Sequence, residues 1–140
     1  MSYRAQVVET AERTIGKGSG ELGLCVVLDG TWCGVYVLSV LHACGLARDI
    51  PHGPKSGQAL RETLPRIEFA AAQPGDVVAW GKHVAILRRY ESGELHTIDG
   101  TEGPGSVYTA VRKAHRFNCN VYSIQPLIDA AAEWTGAESL

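Results

Sequence analysis

Thr31-Trp32-Cys33-Gly34-Val35-Tyr36-Val37-Leu38-Ser39-Val40-Leu41 reads as the opening of a buried helix with a cysteine in its first turn. The residues before it, Leu28-Asp29-Gly30, suit a turn, and the helix is apolar nearly all round as far as Cys44-Gly45. Gly45 is a natural stop, because the left-handed position after a helix favours glycine. A first-turn thiol meets amide N–H groups that have no helical partner, at the positive end of the helix dipole. Both favour thiolate over thiol, and a thiolate is an activated nucleophile. The alternative is a small apolar residue on a core helix.

A second stretch favours the nucleophile. In Gln73-Pro74-Gly75-Asp76-Val77-Val78-Ala79-Trp80-Gly81-Lys82-His83-Val84-Ala85-Ile86-Leu87 the Pro-Gly-Asp is a turn signal. Val77–Trp80 is a short β-rich run, Gly81-Lys82 a tight connection, and His83–Tyr90 a second strand. Glu91-Ser92-Gly93 fits a three-residue hairpin loop, followed by a third strand from Glu94 to Asp99. With Tyr90 opposite Glu94, His83 faces Thr101 and Asp99 lies one diagonal step away on the same face. Such neighbours are roughly 7–8 Å apart at Cα, within reach of a His–carboxylate hydrogen bond. A one-residue slip would send Asp99 to the other face.

The other histidines fit less well. His42 follows Cys33 by about two and a half helical turns and points away from it. His96 has the wrong strand parity relative to Asp99. His52, in Pro51-His52-Gly53-Pro54, is expected in a solvated loop, and His115 in a basic surface stretch.

The rest of the chain predicts an α+β architecture in one domain spanning residues 1–140. Ser2 can cap a first helix with Val7, Val8, Ala11 and Ile15 on one face, ending near Gly16. A short helix is expected over Ser56–Thr63, stopped by Pro65. Val107–Val111 and Asn120–Ile124 read as strands, and Pro126–Trp134 as a terminal helix. Of the cysteines, Cys44 is expected in the core, and Cys25 and Cys119 as free thiols. No Cys-x-x-Cys pair exists, so no zinc site is expected.

With 140 residues, 45% hydrophobic and 20% charged, the chain can bury a real core. A net charge of −2 gives no general attraction to nucleic acid. No apolar run reaches the roughly 18–20 residues that span a bilayer. Met1-Ser2-Tyr3-Arg4-Ala5 lacks the apolar core of a secretory signal. The expectation is a monomer made in the cytoplasm that binds neither nucleic acid nor membrane and reaches any outside target by another route.

The ordered set Trp-Cys-Gly-x-x-Val, Pro-Gly-Asp-Val-Val-x-Trp, His-Val-Ala-Ile and Thr-Ile-Asp-Gly resembles the CHAP and NlpC/P60 papain-like amidases and peptidases of bacterial cell walls. The CHAP pattern, with Trp-Cys-Ala-x-Phe-Val, Pro-Gly-Asp-Ile, His-Val-Gly-Ile and Ile-Glu-Gly-Asn, is the closer fit. The likeness runs from about the first helix to Arg112. It implies a papain-like fold with Cys33 as nucleophile and His83 as general base. Asp99 stands where the family has its orienting Glu, and Thr101 where it often has Asn. Thr101 can make a hydroxyl hydrogen bond but cannot replace an amide. The family's Tyr or Gln oxyanion donor, several residues before the cysteine, has no counterpart in Leu24-Cys25-Val26-Val27-Leu28-Asp29-Gly30-Thr31. Losing one such donor costs ~10²–10³ in rate.

The resemblance implies a peptidoglycan amidase or endopeptidase using a Cys-His-Asp triad and no cofactor. Two settings suit it: a phage lysis or tail enzyme, or an exported antibacterial effector with an immunity protein as partner. Two other readings stay open, a non-catalytic binding module on the same fold and a cysteine hydrolase or transferase with a non-wall substrate. Fold alone does not decide among them.

Overall fold

Ser2 opens the chain's first helix as a cap: its Oγ accepts the Ala5 N–H at 3.1 Å. The computed structural model describes residues 1–24, 32–101, 105–116 and 118–138. Its elements run α1 (Tyr3–Arg13), α2 (Cys33–Ala43), α3 (Ser56–Thr63), β1 (Arg66–Ile67), a 3-10 turn (Phe69–Ala71), β2 (Val77–Trp80) and β3 (His83–Glu91). They continue through β4 (Glu94–Asp99), β5 (Tyr108–Lys113), a 3-10 turn (Ala114–Arg116), β6 (Asn120–Tyr122) and α4 (Gln125–Glu138). The architecture is α+β, with a six-stranded antiparallel sheet in the order β1-β6-β2-β3-β4-β5. No described helix is long and apolar enough to cross a membrane.

Helix α2 is the buried centre. Val35, Tyr36, Val37, Leu38, Val40 and Leu41 are all buried along it. Cys44 caps its C-terminus and Gly45 follows at φ +77°. Two expectations are corrected here. Cys44 is half-buried rather than in the core, with its sulfur 3.5 Å from the Thr10 hydroxyl, because the helix surfaces at its cap. Ile15 lies beyond α1 and is 42% exposed, since the helix ends at Arg13 and only Val7 and Ala11 of the expected stripe are buried.

The β3–β4 hairpin reaches the expected register by a different route. The loop has two residues, Ser92 and Gly93, at φ +52° and +78°, so Glu91 pairs with Glu94 and Tyr90 with Leu95. Positive φ at both positions matches the twist of the flanking strands. A bulge between Leu87 and Arg89 then shifts the pairing by one residue, and Leu87 meets Thr97 and Ile86 meets Ile98. Those are the partners that pairing Tyr90 with Glu94 would have produced. The bulge therefore restores Asp99 to the face of His83.

The sheet has a core on each side. Val77, Ala79, Val84, Ile86 and Ile98 turn toward α1 and α2, where Ile124, Leu127 and Ile128 close the layer. Alternate residues Val78, Leu87, Leu95 and Val121 face a smaller cluster with Ala114, Cys119 and Phe69. Phe69 stacks on Tyr90 at 5.8 Å between ring centroids.

Candidate active site

Three chain segments converge at one end of the sheet. Cys33 is the first residue of α2, with Trp32 at the cap position, and Trp32 makes no side-chain cap hydrogen bond. His83 opens β3 and Asp99 closes β4. Because β3 and β4 are antiparallel, the first residue of one and the last of the other meet at the same edge. His83 Nε2 lies 2.7 Å from Asp99 Oδ2. Cys33 and His83 are side-chain hydrogen-bond partners, which leaves Nδ1 of the ring for the sulfur. The sulfur is also 3.9 Å from the Lys82 carbonyl oxygen. Cys33, His83 and Asp99 are all buried, Asp99 completely.

The electrostatics favour an ion pair. Burial works to raise the Cys33 thiol. The His83 hydrogen bond, the Val84 amide, the charge on His83 and the Gly34 amide outweigh it, and the thiol falls below its ordinary value. Burial works to lower His83. Hydrogen bonds to Asp99 and Cys33, with the charges of both, raise it instead to about 9.

Thr101 enters mainly through its backbone. Its carbonyl accepts the Trp32 N–H at 3.3 Å, tying the cap of α2 to the end of β4. Its side chain lies against Gly105. Strand β4 ends at Asp99, so Thr101 is not the ladder partner of His83 that the sequence suggested. Gly100 is also required here, because a Cβ on it would lie 2.9 Å from the Tyr36 Cβ and 3.1 Å from the Trp32 ring. The segment that the oxyanion donor of the resembled family would occupy, 25–31, and Cys25 with it, lie outside the described residues.

Four supporting residues were missed from sequence. Thr97 Oγ1 donates to Asp99 Oδ1 at 2.6 Å, and Arg112 Nη1 is 3.2 Å from Asp99 Oδ2. The Trp80 ring is 4.6 Å from the His83 ring. Arg61, on α3, donates to the His83 carbonyl at 2.8 Å. Thr97 and Trp80 had a signal: Thr97 shares the parity of Asp99, and the tight Gly81-Lys82 connection puts Trp80 opposite His83. Arg112 had none, because nothing in the loop before β5 sets that strand's register. Of the remaining histidines, His42 Nε2 is held by the Ala47 and Ile50 carbonyls at 3.0 and 2.9 Å, away from the cluster.

Helix α3 backs the nucleophile through a glycine pair. A Cβ on Gly34 would lie 2.5 Å from the Gly57 nitrogen and 2.9 Å from its Cα. Alanine at Gly34 gains up to ~1 kcal/mol of helix propensity, but overlap with backbone cannot be relieved by a rotamer change. Gly34→Ala is expected to destabilise the fold by a net ~1–3 kcal/mol and to slow Cys33 alkylation. A thermal melt and an iodoacetamide time course check it, and an unchanged melt would show that the helices part freely. The close approach of α3 accounts for glycine at this position.

No family model, curated protein or solved structure matches the chain.

Proposed function

We propose that the chain is a cysteine hydrolase of amide bonds, on a papain-like fold of the CHAP and NlpC/P60 kind, acting on the peptides of peptidoglycan. The observation that carries it is the buried line from the α2 terminus through the imidazole to Asp99, with His83 Nε2 at 2.7 Å from the carboxylate. A structural cysteine needs no such partner.

The chemistry follows from the positions. The Cys33 thiolate attacks the amide carbonyl carbon and forms the C–S bond, while the carbonyl electrons move to oxygen. The Cys33 N–H, at the first position of α2, is the backbone donor proposed for that oxyanion. The imidazolium gives its Nδ1 proton to the leaving nitrogen as the C–N bond breaks. Neutral His83 then takes a proton from water, the hydroxide attacks the thioester, and the C–S bond breaks to return thiolate and imidazolium. Asp99 orients the ring and offsets its charge in both steps. Peptidoglycan as substrate rests on the motif resemblance. So do the two settings, phage lysis or an exported effector checked by an immunity protein.

Digestion of purified peptidoglycan with release of new amines, read by mass analysis of the muropeptides, tests the proposal and identifies the bond. Failure to cut walls from several sources overturns the substrate. If the protein binds those walls without cutting them, the binding-module reading replaces the enzyme.

A further inference from the structure

The acid of the cluster is itself held. Arg112 comes from the edge strand β5 and reaches back under the site. Its Nη1 donates to Thr97 Oγ1 at 2.8 Å and lies 3.2 Å from Asp99 Oδ2. Thr97 Oγ1 passes its own hydrogen to Asp99 Oδ1 at 2.6 Å. The guanidinium carbon stands 4.3 Å over the Trp80 ring, and that ring is 4.6 Å from the imidazole of His83. His83, Asp99, Arg112 and Trp80 thus form a closed circuit. Asp99 Oδ2 serves two cations, and Oδ1 serves the threonine.

We propose that Arg112 is a positioning residue of the active site, acting through Asp99 and Trp80 to fix the imidazole and to share the charge of the buried carboxylate. This deepens the cysteine-hydrolase reading and rests on it. Two physical arguments select arginine. A planar guanidinium can stack on an indole face and still aim an N–H in its plane at Thr97 and Asp99, whereas an ammonium is a point charge without a face. And a carboxylate with no exposure is costly to bury unless both its oxygens find partners, which Thr97 and Arg112 supply beside His83. Arg112 is 17% exposed at its side chain, so it also forms the outer wall between Asp99 and solvent.

The charge sets a direction. Arg112 adds positive potential to the site. Its removal makes His83 hold its proton more tightly and makes the Cys33 thiolate harder to form, so both titrations move to higher pH. Other charged or titratable groups face the pair from neighbouring elements. Arg61 on α3 bonds the His83 carbonyl, and Lys82 lies in the turn before β3. Tyr36 on α2 stays neutral up to about 12. None of these changes in an Arg112 variant; the Cys119 thiol, which burial raises and the charge on Arg112 lowers, does change and is read separately by its own peptide.

The test is the pH profile of Cys33 alkylation by iodoacetamide in the full chain, followed by peptide mass spectrometry so that the other thiols do not interfere. Arg112→Met is expected to raise the midpoint by about half a pH unit or more. That is less than the ~1–3 units of a directly adjacent charge, because the imidazole stands between. Arg112→Lys keeps the charge but not the stacked, in-plane geometry, and is expected to restore the midpoint in part. If Arg112→Met does not fold, Arg112→Gln, which keeps polarity and loses charge, is read in the same way. A folded charge-removing variant with the wild-type midpoint overturns the proposal. So does a lysine variant that shifts as far as the methionine one, since a merely structural loss would not distinguish them. The readout uses no wall substrate, so failure to cut peptidoglycan leaves its outcome intact.

Discussion

Alanine at Cys33 is expected to abolish amide hydrolysis, and alanine at His83 to lower kcat/KM by ~10⁴ or more, with the fold intact in both. Cys33→Ala removes the atom that forms the bond. His83→Ala removes both the proton donor to the leaving nitrogen and the cation that stabilises the thiolate, so it should also slow iodoacetamide labelling of Cys33 at neutral pH. Cys33→Ser should be nearly as inactive, because a hydroxyl gains little from a site tuned to hold a thiolate. Asp99→Ala should cost less than either, since nucleophile and base remain. Wild-type activity should follow a bell in pH. The acid limb marks protonation of a thiolate whose titration lies below the ordinary thiol range. The alkaline limb, at about 9, marks loss of the proton that His83 delivers. The two limbs belong to the coupled pair. Steady-state rates across pH with each variant check this. Equal labelling of Cys25, Cys33, Cys44 and Cys119, unaffected by His83→Ala, would refute the activated thiol.

The parts of this arrangement visible in the sequence are those set by local rules. Turn residues ahead of it, a glycine stop and a continuous apolar surface mark α2, and strand parity in the expected hairpin register puts His83 and Asp99 on one face. The β3–β4 register shows the limit. The hairpin loop is one residue shorter than expected, and a bulge near Arg88 returns the pairing at the site to its expected value. Two deviations cancelled, and nothing local announced either. Arg66–Ile67 and the turn Phe69–Ala71 are too short to carry periodicity, and they owe their form to the second core under the sheet. Arg112 escaped because it lies past the expected end of its strand at Val111 and its role depends on a long-range register. Thr101 shows the reverse case. Its position in the motif suggested a side-chain role, whereas the structure uses its carbonyl to hold the α2 cap.

Asp76→Ala is expected to produce a large loss of stability although it lies outside the site. The Pro-Gly-Asp turn marks this residue in sequence as a loop former, yet its side chain is fully buried. Oδ1 accepts from Arg4 Nη1 at 2.8 Å and from the Ile124 amide at 3.0 Å, and Oδ2 accepts from the Gln73 amide at 2.8 Å. One carboxylate thereby joins α1, the entry to β2 and the entry to α4. Alanine leaves two amides without an acceptor and strands a guanidinium whose side chain is only 13% exposed. Breaking a buried pair from one side costs ~3–5 kcal/mol, which for a chain of this size lowers the melting temperature by roughly 10–15 °C. Arg4 also donates to the Pro74 carbonyl at 3.1 Å, so its charge keeps partial satisfaction and the lower end of the range is expected. Thermal melts of Asp76→Ala, Arg4→Met and the double variant separate the contributions. The double variant should lose less than the sum of the singles, because it no longer leaves a cation unpaired. A single-variant loss under about 1 kcal/mol would mean that the three donors find water instead. Below its melting point Asp76→Ala should keep the wild-type alkylation midpoint at Cys33, since Asp76 anchors the helices and bonds none of the groups that set the thiolate.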